Sequence, residues 1–249
     1  MPMKAILLAG GLGSRLAPFT AYTQKTLLPI YKHPVIDYAL ATIRRAGIKD
    51  ITIVANQFIG QIASHVGQGL PGERIHYVVE EEAMGVANAL SLARPYNEDT
   101  RLMVYFSDNI TTVEFNDQVG RFNEAPSAPG CVLLGREVED PRAFGVAVFD
   151  ENGDLVDLVE KPENPPSNIA IGGIYLFDET FWHRFDTAVK ERGSSFSISD
   201  VNRSYVRDGQ ASVLTTGASA WIDCGTPETL LKAAIAAEQG ILNPYSNQE

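Results

Sequence analysis

Apolar residues come in short blocks broken by polar punctuation, and the rhythm of the blocks changes halfway along the chain. In the first half the blocks at 4–9, 51–56, 75–80 and 101–106 predict strands, the second of them rich in β-branched residues. Between them, 34–46, 57–66 and 85–93 predict helices, with Pro34 in a first turn and Gly47 just past an end. Strand and helix therefore alternate, which implies an α/β fold: a Rossmann-like, mixed, mostly parallel sheet flanked by helices. Ligands of such sheets bind outside the carboxyl ends of the strands. In the second half, 131–138, 144–149 and 155–160 predict strands, the last two a hairpin around the turn at 151–154. A loop at 162–166 leads to a strand at 169–177, helices at 178–191 and 199–208, and short strands at 211–216 and 221–223. A terminal helix at 227–239 has Thr226 as N-cap and Pro227 in its first turn. No linker separates the halves. The expectation is one domain over 1–249, with a nucleotide-binding half at about 1–115 and a substrate-binding half at about 116–249.

Charge narrows the ligands. A net charge of −11 leaves no broad basic surface, so a nucleic acid polymer is not an expected partner. Small phosphorylated ligands fit such a chain only where a few cations converge. No apolar run approaches the roughly 20 residues of a membrane span, and the apolar run after Met1 is too short for a signal-peptide core. Two cysteines, Cys131 and Cys224, make no disulfide framework, and a reducing cytoplasm is expected.

Gly10, Gly11 and Gly13 directly follow the first strand, where backbone N–H groups can approach a phosphate. Arg15 follows, a residue that forks onto phosphate oxygens. Taken alone, the glycines fit a tight turn with a surface arginine equally well. Two other phosphate loops fail on spacing: no lysine stands where a Walker loop needs one, and Leu16 stands where a dinucleotide loop needs its third glycine. The second strand also ends at Asn56 rather than at an acidic residue. Lys25, in the otherwise apolar, proline-bounded stretch 24–30, supplies a second cation near the loop.

The segments Leu8-Ala9-Gly10-Gly11-Leu12-Gly13-Ser14-Arg15-Leu16-Ala17-Pro18 and Lys25-Thr26-Leu27-Leu28-Pro29 resemble the signature of the sugar-1-phosphate nucleotidyltransferases, in particular the glucose-1-phosphate thymidylyltransferase branch. The resemblance continues in order through Ser107-Asp108-Asn109, Phe144-Gly145-Val146, Val159-Glu160-Lys161-Pro162, Ile198-Ser199-Asp200-Val201-Asn202 and Trp221-Ile222-Asp223-Cys224-Gly225-Thr226. It implies the nucleotide-diphospho-sugar transferase type of fold. It also implies an enzyme coupling an NTP (dTTP or UTP) to a sugar 1-phosphate, with release of pyrophosphate. Leu8, Gly10, Gly11, Gly13, Ser14, Arg15, Glu80 and Gly85 would meet the nucleotide. Asn109, Gly145, Glu160, Lys161, Ile171, Gly173 and Tyr175 would meet the sugar phosphate. Arg15, Lys25, Asp108, Lys161 and Asp223 would be the catalytic set.

Asp108 and Asp223 both fall at strand ends. Either alone reads equally as a cap or turn residue; as a pair they suit Mg²⁺ held by carboxylates and substrate phosphates, and the resemblance implies the same cofactor. None of His33, His65, His76 and His183 falls in a motif. Fuller members of that branch carry extra C-terminal helices for allosteric and subunit contacts. The chain stops soon after 239, so control through such an extension is not expected, and assembly into a homo-oligomer is left open.

Several positions depart from the branch. Phe144 stands for Tyr, Gly172 for Thr, Ser107 for Gly, and Ser195-Phe196-Ser197-Ile198 for Glu-Leu-Glu-Ile. A substrate other than unmodified glucose 1-phosphate is expected, a phosphorylated cyclitol among the alternatives. Glu80 stands where Gln is usual. A carboxylate only accepts hydrogen bonds, which suits guanine, so a GTP-using guanylyltransferase is the alternative donor reading. The opposing reading has Glu80 in solvent beside Glu81 and Glu82, or has backbone groups read the base instead. A non-catalytic regulatory homologue is the rival from another class, although all five charged catalytic positions are filled.

Overall fold

The computed structural model describes residues 2–124 and 129–245, the side chains of residues 123 and 124 apart. The first half runs β1 (Lys4–Leu8), β2 (Pro29–Ile30), β3 (His33–Pro34), α1 (Val35–Arg45), β4 (Asp50–Ala55), α2 (Ile59–Val66), β5 (Arg74–Val79), α3 (Val86–Ala93), β6 (Leu102–Phe106), β7 (Asn109–Thr111) and α4 (Asn116–Glu124). The second half runs β8 (Cys131–Glu137), β9 (Gly145–Phe149), β10 (Leu155–Glu160), β11 (Ile169–Phe177), α5 (Phe181–Arg192), α6 (Ile198–Arg207), β12 (Ala211–Thr215), β13 (Trp221–Asp223) and α7 (Pro227–Glu238).

Strand β1 explains the layers. Ala5 and Leu7 pack into one apolar cluster with Ile36, Leu40 and Ile43 of α1, while Ile6 and Leu8 pack into another with Leu90 of α3 and Phe181 of α5. Both faces of the strand are covered, which is why it reads as a continuous apolar run. β4, β1 and β6 are parallel neighbours, and β5 lies parallel outside β4. From β1 the chain winds outward to β4 and β5, then crosses back to β6 on the other side of β1. The β1/β6 boundary is therefore a topological switch point, where the chain leaves a crevice at the carboxyl ends.

The second half joins the same nine-stranded sheet. β11 runs antiparallel to β6 through residues 174–177, and its residues 170 and 171 pair with β9. β8 holds the opposite edge of β11 at both levels. The β9–β10 hairpin therefore begins on the edge of β11 where β6 has stopped. A separate antiparallel ribbon pairs β7 with β13 and puts Asp223 opposite Asn109.

The sequence reading holds for the long elements and misses the short ones. β2, β3 and β7 have two or three residues each, too few for an alternation to show. Helix α4 was not expected: its chain is polar apart from Val119 and Phe122, which are the two it buries among its described side chains. Pro34 caps α1 rather than lying within it. Among the described residues, no helix is long and apolar enough to cross a membrane.

Both cysteines lie in this interior, Cys131 at 0% and Cys224 at 2% exposure. Burial pushes both thiols up from their ordinary values, with nearby carboxylates adding to the effect. Thiolate is the reactive form. The native protein at pH 8 is therefore expected to leave an aromatic disulfide reagent uncleaved over minutes, and to titrate two thiols in denaturant. Fast reaction of either thiol in the native state would contradict this packing.

Candidate active site

The loop after β1 is shaped by what it must touch. A Cβ built on Gly11 would lie 3.1 Å from Cε and Nζ of Lys25, so that lysine runs directly against the loop. Gly13 has φ +62°, a left-handed conformation, and a Cβ there would meet Lys25 Cβ at 2.9 Å. Among the described residues, no backbone or side-chain acceptor takes the N–H groups of Gly10, Gly11, Leu12 or Gly13. The loop carbonyls are held instead. Gln24, buried, donates through Nε2 to Ala9 O and accepts from Thr26 N, while Asn56 Nδ2 donates to Gly10 O at 3.2 Å. Exposed donors and tied acceptors make the loop a cradle for anions. Leu8 serves the frame: its carbonyl accepts from both the amide and the hydroxyl of Ser107. Ser14 and Arg15 are exposed in the turn that follows.

At the switch point the charges converge. Lys25 Nζ is ion-paired with Asp108 Oδ2. Cys224 N donates to Asp108 O at 2.8 Å, which brings Asp223 beside Asp108. A Cβ on Gly225 would meet both Arg15 Nη2, at 2.5 Å, and Asp223 Oδ1, at 2.8 Å. The Asp223 carboxyl is held above its ordinary range by burial first and by the Asp108 charge second, with Lys25 and Arg15 pulling it down. Two carboxylates and two cations thus share one corner. Gly225 was quoted in the motif of Asp223 but not foreseen as a site residue.

Asn109 is the brace behind this corner. It is buried, and its Oδ1 accepts from Trp221 Nε1 at 2.8 Å and from Gly173 N at 3.0 Å. Its Nδ2 donates to Asp108 Oδ1 at 3.1 Å, and its backbone O accepts from Tyr105 OH. The side chain is committed to orienting Asp108. Trp221 is part of the same brace, and Phe144 packs against it edge-on at 5.4 Å.

A cavity of about 310 Å³ opens beside the corner and is lined by Asp108, Asp223, Gly145, Glu160, Lys161, Ile171, Gly173 and Tyr175. Glu160 ends β10, and Ser199, at the start of α6, donates to its Oε2 at 2.6 Å. That contact is the reason for Ser197-Ile198-Ser199: Ser197 caps α6 in a reciprocal box with Asp200 and so aims Ser199 at the cavity. Ser199 was quoted in the motif but not foreseen as a site residue. Lys161 follows with φ +44°, a conformation that a non-glycine residue adopts at a cost of order 1–3 kcal/mol. The strain turns its side chain, two-thirds exposed, out over the cavity mouth with Nζ 3.9 Å from Glu160 Oε1. Tyr175 is buried, and burial pushes its phenol up, so it stays a neutral donor.

The sequence-derived residues therefore fall into two groups. Asp108, Asp223 and the sugar-side set share the cavity, whereas the glycine loop, Glu80 and Gly85 lie outside its lining, with Lys25 against the loop at Gly11 and Gly13 and Glu80 against it at Gly10. A larger cleft of about 620 Å³ between α5 and α6 shares none of these residues. Its Arg184, Arg192 and Arg203 are already paired with Asp208, Asp200 and Asp157.

Comparison with known proteins places the chain. A family model described as nucleotidyl transferase matches residues 4–240. A glucose-1-phosphate thymidylyltransferase of Neisseria gonorrhoeae is 35% identical over 93% of this chain and 81% of its own length. A low-salt glycan biosynthesis nucleotidyltransferase of Haloferax volcanii is 34% identical over 93% of this chain, and this chain spans only 65% of that protein. Among solved structures, a Bacillus anthracis protein assigned as a glucose-1-phosphate thymidylyltransferase and bound to sucrose superposes with TM-score 0.85 at 33% identity, covering 94% of this chain and 95% of that one. An apo UDP-glucose pyrophosphorylase shares the fold at TM-score 0.81 and 19% identity.

Two substitutions test this geometry. In Gly173→Ala the new Cβ would lie 2.6 Å from Asn109 Nδ2 and 2.9 Å from Phe106 Cβ. Overpacking of this kind costs about 1–3 kcal/mol, so a lower urea midpoint is expected; an unchanged midpoint would show that Asn109 is free to move. Asp223 carries a raised carboxyl value, so its ionisation opposes folding once pH rises past the unfolded value. In chelator at neutral pH, Asp223→Asn is therefore expected to melt higher than the parent, and a lower melting temperature would contradict that reading.

Proposed function

This chain belongs to the nucleotidyl transferase family, and on that premise we propose that it couples a nucleoside triphosphate to a sugar 1-phosphate and releases pyrophosphate. The observation that carries this reading is the meeting of Lys25, Arg15, Asp108 and Asp223 between an anion cradle and a polar cavity. A phosphate oxygen of the sugar substrate attacks the α-phosphorus, and pyrophosphate departs on the opposite side. The nucleophile is already an anion, so no general base is needed; what the reaction needs is alignment and charge neutralisation.

The residues divide that work. The loop N–H groups and Arg15 hold the β- and γ-phosphates, and Arg15 retains the charge as pyrophosphate leaves. Lys25 lies against Gly11 and can reach the α-phosphate. Lys161, at the cavity mouth, takes the phosphate of the incoming sugar. Glu160, already accepting from Ser199, accepts from sugar hydroxyls with its remaining lone pairs. Asp108 and Asp223 fit a magnesium ion: two adjacent carboxylates, one with a raised carboxyl value, with phosphate oxygens to complete the coordination. When bound, the ion supplies neutralisation of phosphate charge.

The named relatives support the reaction class. At about a third identity the donor base and the sugar are separate questions. Lys161→Met is expected to lower kcat/KM for the sugar phosphate by about a hundredfold, followed by pyrophosphate release, with KM for the nucleotide little changed. No pyrophosphate from any pairing of the five nucleoside triphosphates with a panel of sugar phosphates, despite measurable binding, would favour a regulatory protein instead.

A further inference from the structure

The end of β5 carries a carboxylate that the transfer chemistry does not use. Glu80 is 3% exposed, unlike the exposed Glu81 and Glu82 beside it. Its amide donates to Ala55 O at 2.8 Å, which pins the residue to the carboxyl end of β4. Its Oε1 accepts from Asn88 Nδ2 of α3 at 3.0 Å. Its Oε2 occupies the space a side chain on Gly10 would need, 2.6 Å from an ideal Cβ there. Among the described residues, no lysine, arginine or histidine forms an ion pair with it. A buried carboxylate held by one neutral amide has accepting capacity left over on both oxygens. The position can therefore take a donor from outside the chain.

The location says which part of the ligand supplies the donors. Glu80 touches the same glycine loop that would hold the triphosphate, on the β4/β5 side of the switch point and away from the sugar cavity. A base placed there meets Glu80 with its hydrogen-bonding edge. Thymine and uracil present one N–H between two carbonyl oxygens, which would face the carboxylate lone pairs. Adenine and cytosine present one amino donor beside a ring acceptor. Guanine presents N1–H and the N2 amino group side by side, the pair that a carboxylate can accept together.

We propose that Glu80 makes this site selective for guanine nucleotides. The inference rests on the transfer reading above and adds its donor: GTP rather than the thymidine nucleotide that the names of the relatives suggest. Asn88 holds the carboxylate through Oε1 and leaves both oxygens with lone pairs to accept a further donor. Gly10 is the position whose missing side chain makes room for Oε2.

The test uses the full chain and its Glu80→Gln variant, the latter first checked for an unchanged circular dichroism spectrum. Steady-state kcat/KM is measured with GTP, dTTP, UTP, CTP and ATP against the best sugar phosphate, and GTP and dTTP binding is measured calorimetrically without sugar. The parent is expected to favour GTP by about tenfold or more in both assays. Glu80→Gln, whose amide both donates and accepts, is expected to lose at least that preference and to shift toward dTTP or UTP. A parent that uses or binds dTTP as well as GTP overturns the proposal while leaving the transfer reading intact, as does a variant with unaltered preference. If no triphosphate turns over, the transfer reading fails, and the binding arm alone decides whether guanine is selected.

Discussion

The structure is organised around keeping two like charges side by side. Asp108 and Asp223 come from opposite halves of the chain and meet in a partly buried corner, where mutual repulsion and desolvation both oppose them. They stay because other contacts hold them: the β7–β13 ribbon fixes the backbone, Asn109 orients Asp108, and Lys25 and Arg15 offset the charge. Such an arrangement is costly in an isolated protein and useful for a ligand that brings both strong negative charge and a divalent cation. The same corner explains why an acidic chain can handle phosphates. Lys25 and Arg15 are brought to it by glycines that allow close approach.

Much of this was legible in the sequence because strong local patterns and function coincide. β1, β4, β5 and β6 are apolar blocks, and the glycine loop stands immediately after the first of them. Their order alone implied a crevice at the carboxyl edge. The aspartates were readable as strand-end residues, and their motifs resembled those of a family now shown by comparison. The base-facing alternatives for Glu80 could not be separated from sequence, since a glutamate followed by two more reads as a solvated run. Burial against Gly10 removes the solvent reading.

What escaped the sequence was of one kind: contacts made by short or polar segments. β7 has three residues and no alternation, yet it carries the register that places Asp223. Gln24 looks like an ordinary polar residue, yet it is buried and binds the end of β1 to the lysine turn. Ser199 and Trp221 act through hydrogen bonds to Glu160 and Asn109, residues far from them in the chain. The departures at Ser107, Phe144 and Gly172 also gain local reasons. Ser107 ties β6 to β1, while Phe144 and Gly172 both pack on Trp221.

Strand β11 has a consequence of its own. One end of it lies along β6, which leads to Asp108; the other lies along β9, whose hairpin ends in Glu160 and Lys161. A strand rises about 3.3 Å per residue, so β11 works as a ruler between the Asp108 corner and the Glu160 end of the cavity. Loops around the hairpin can vary in shape and chemistry without changing that spacing. The fold can thus accept a new sugar by altering the far end of the ruler, while the phosphorus under attack stays where it was.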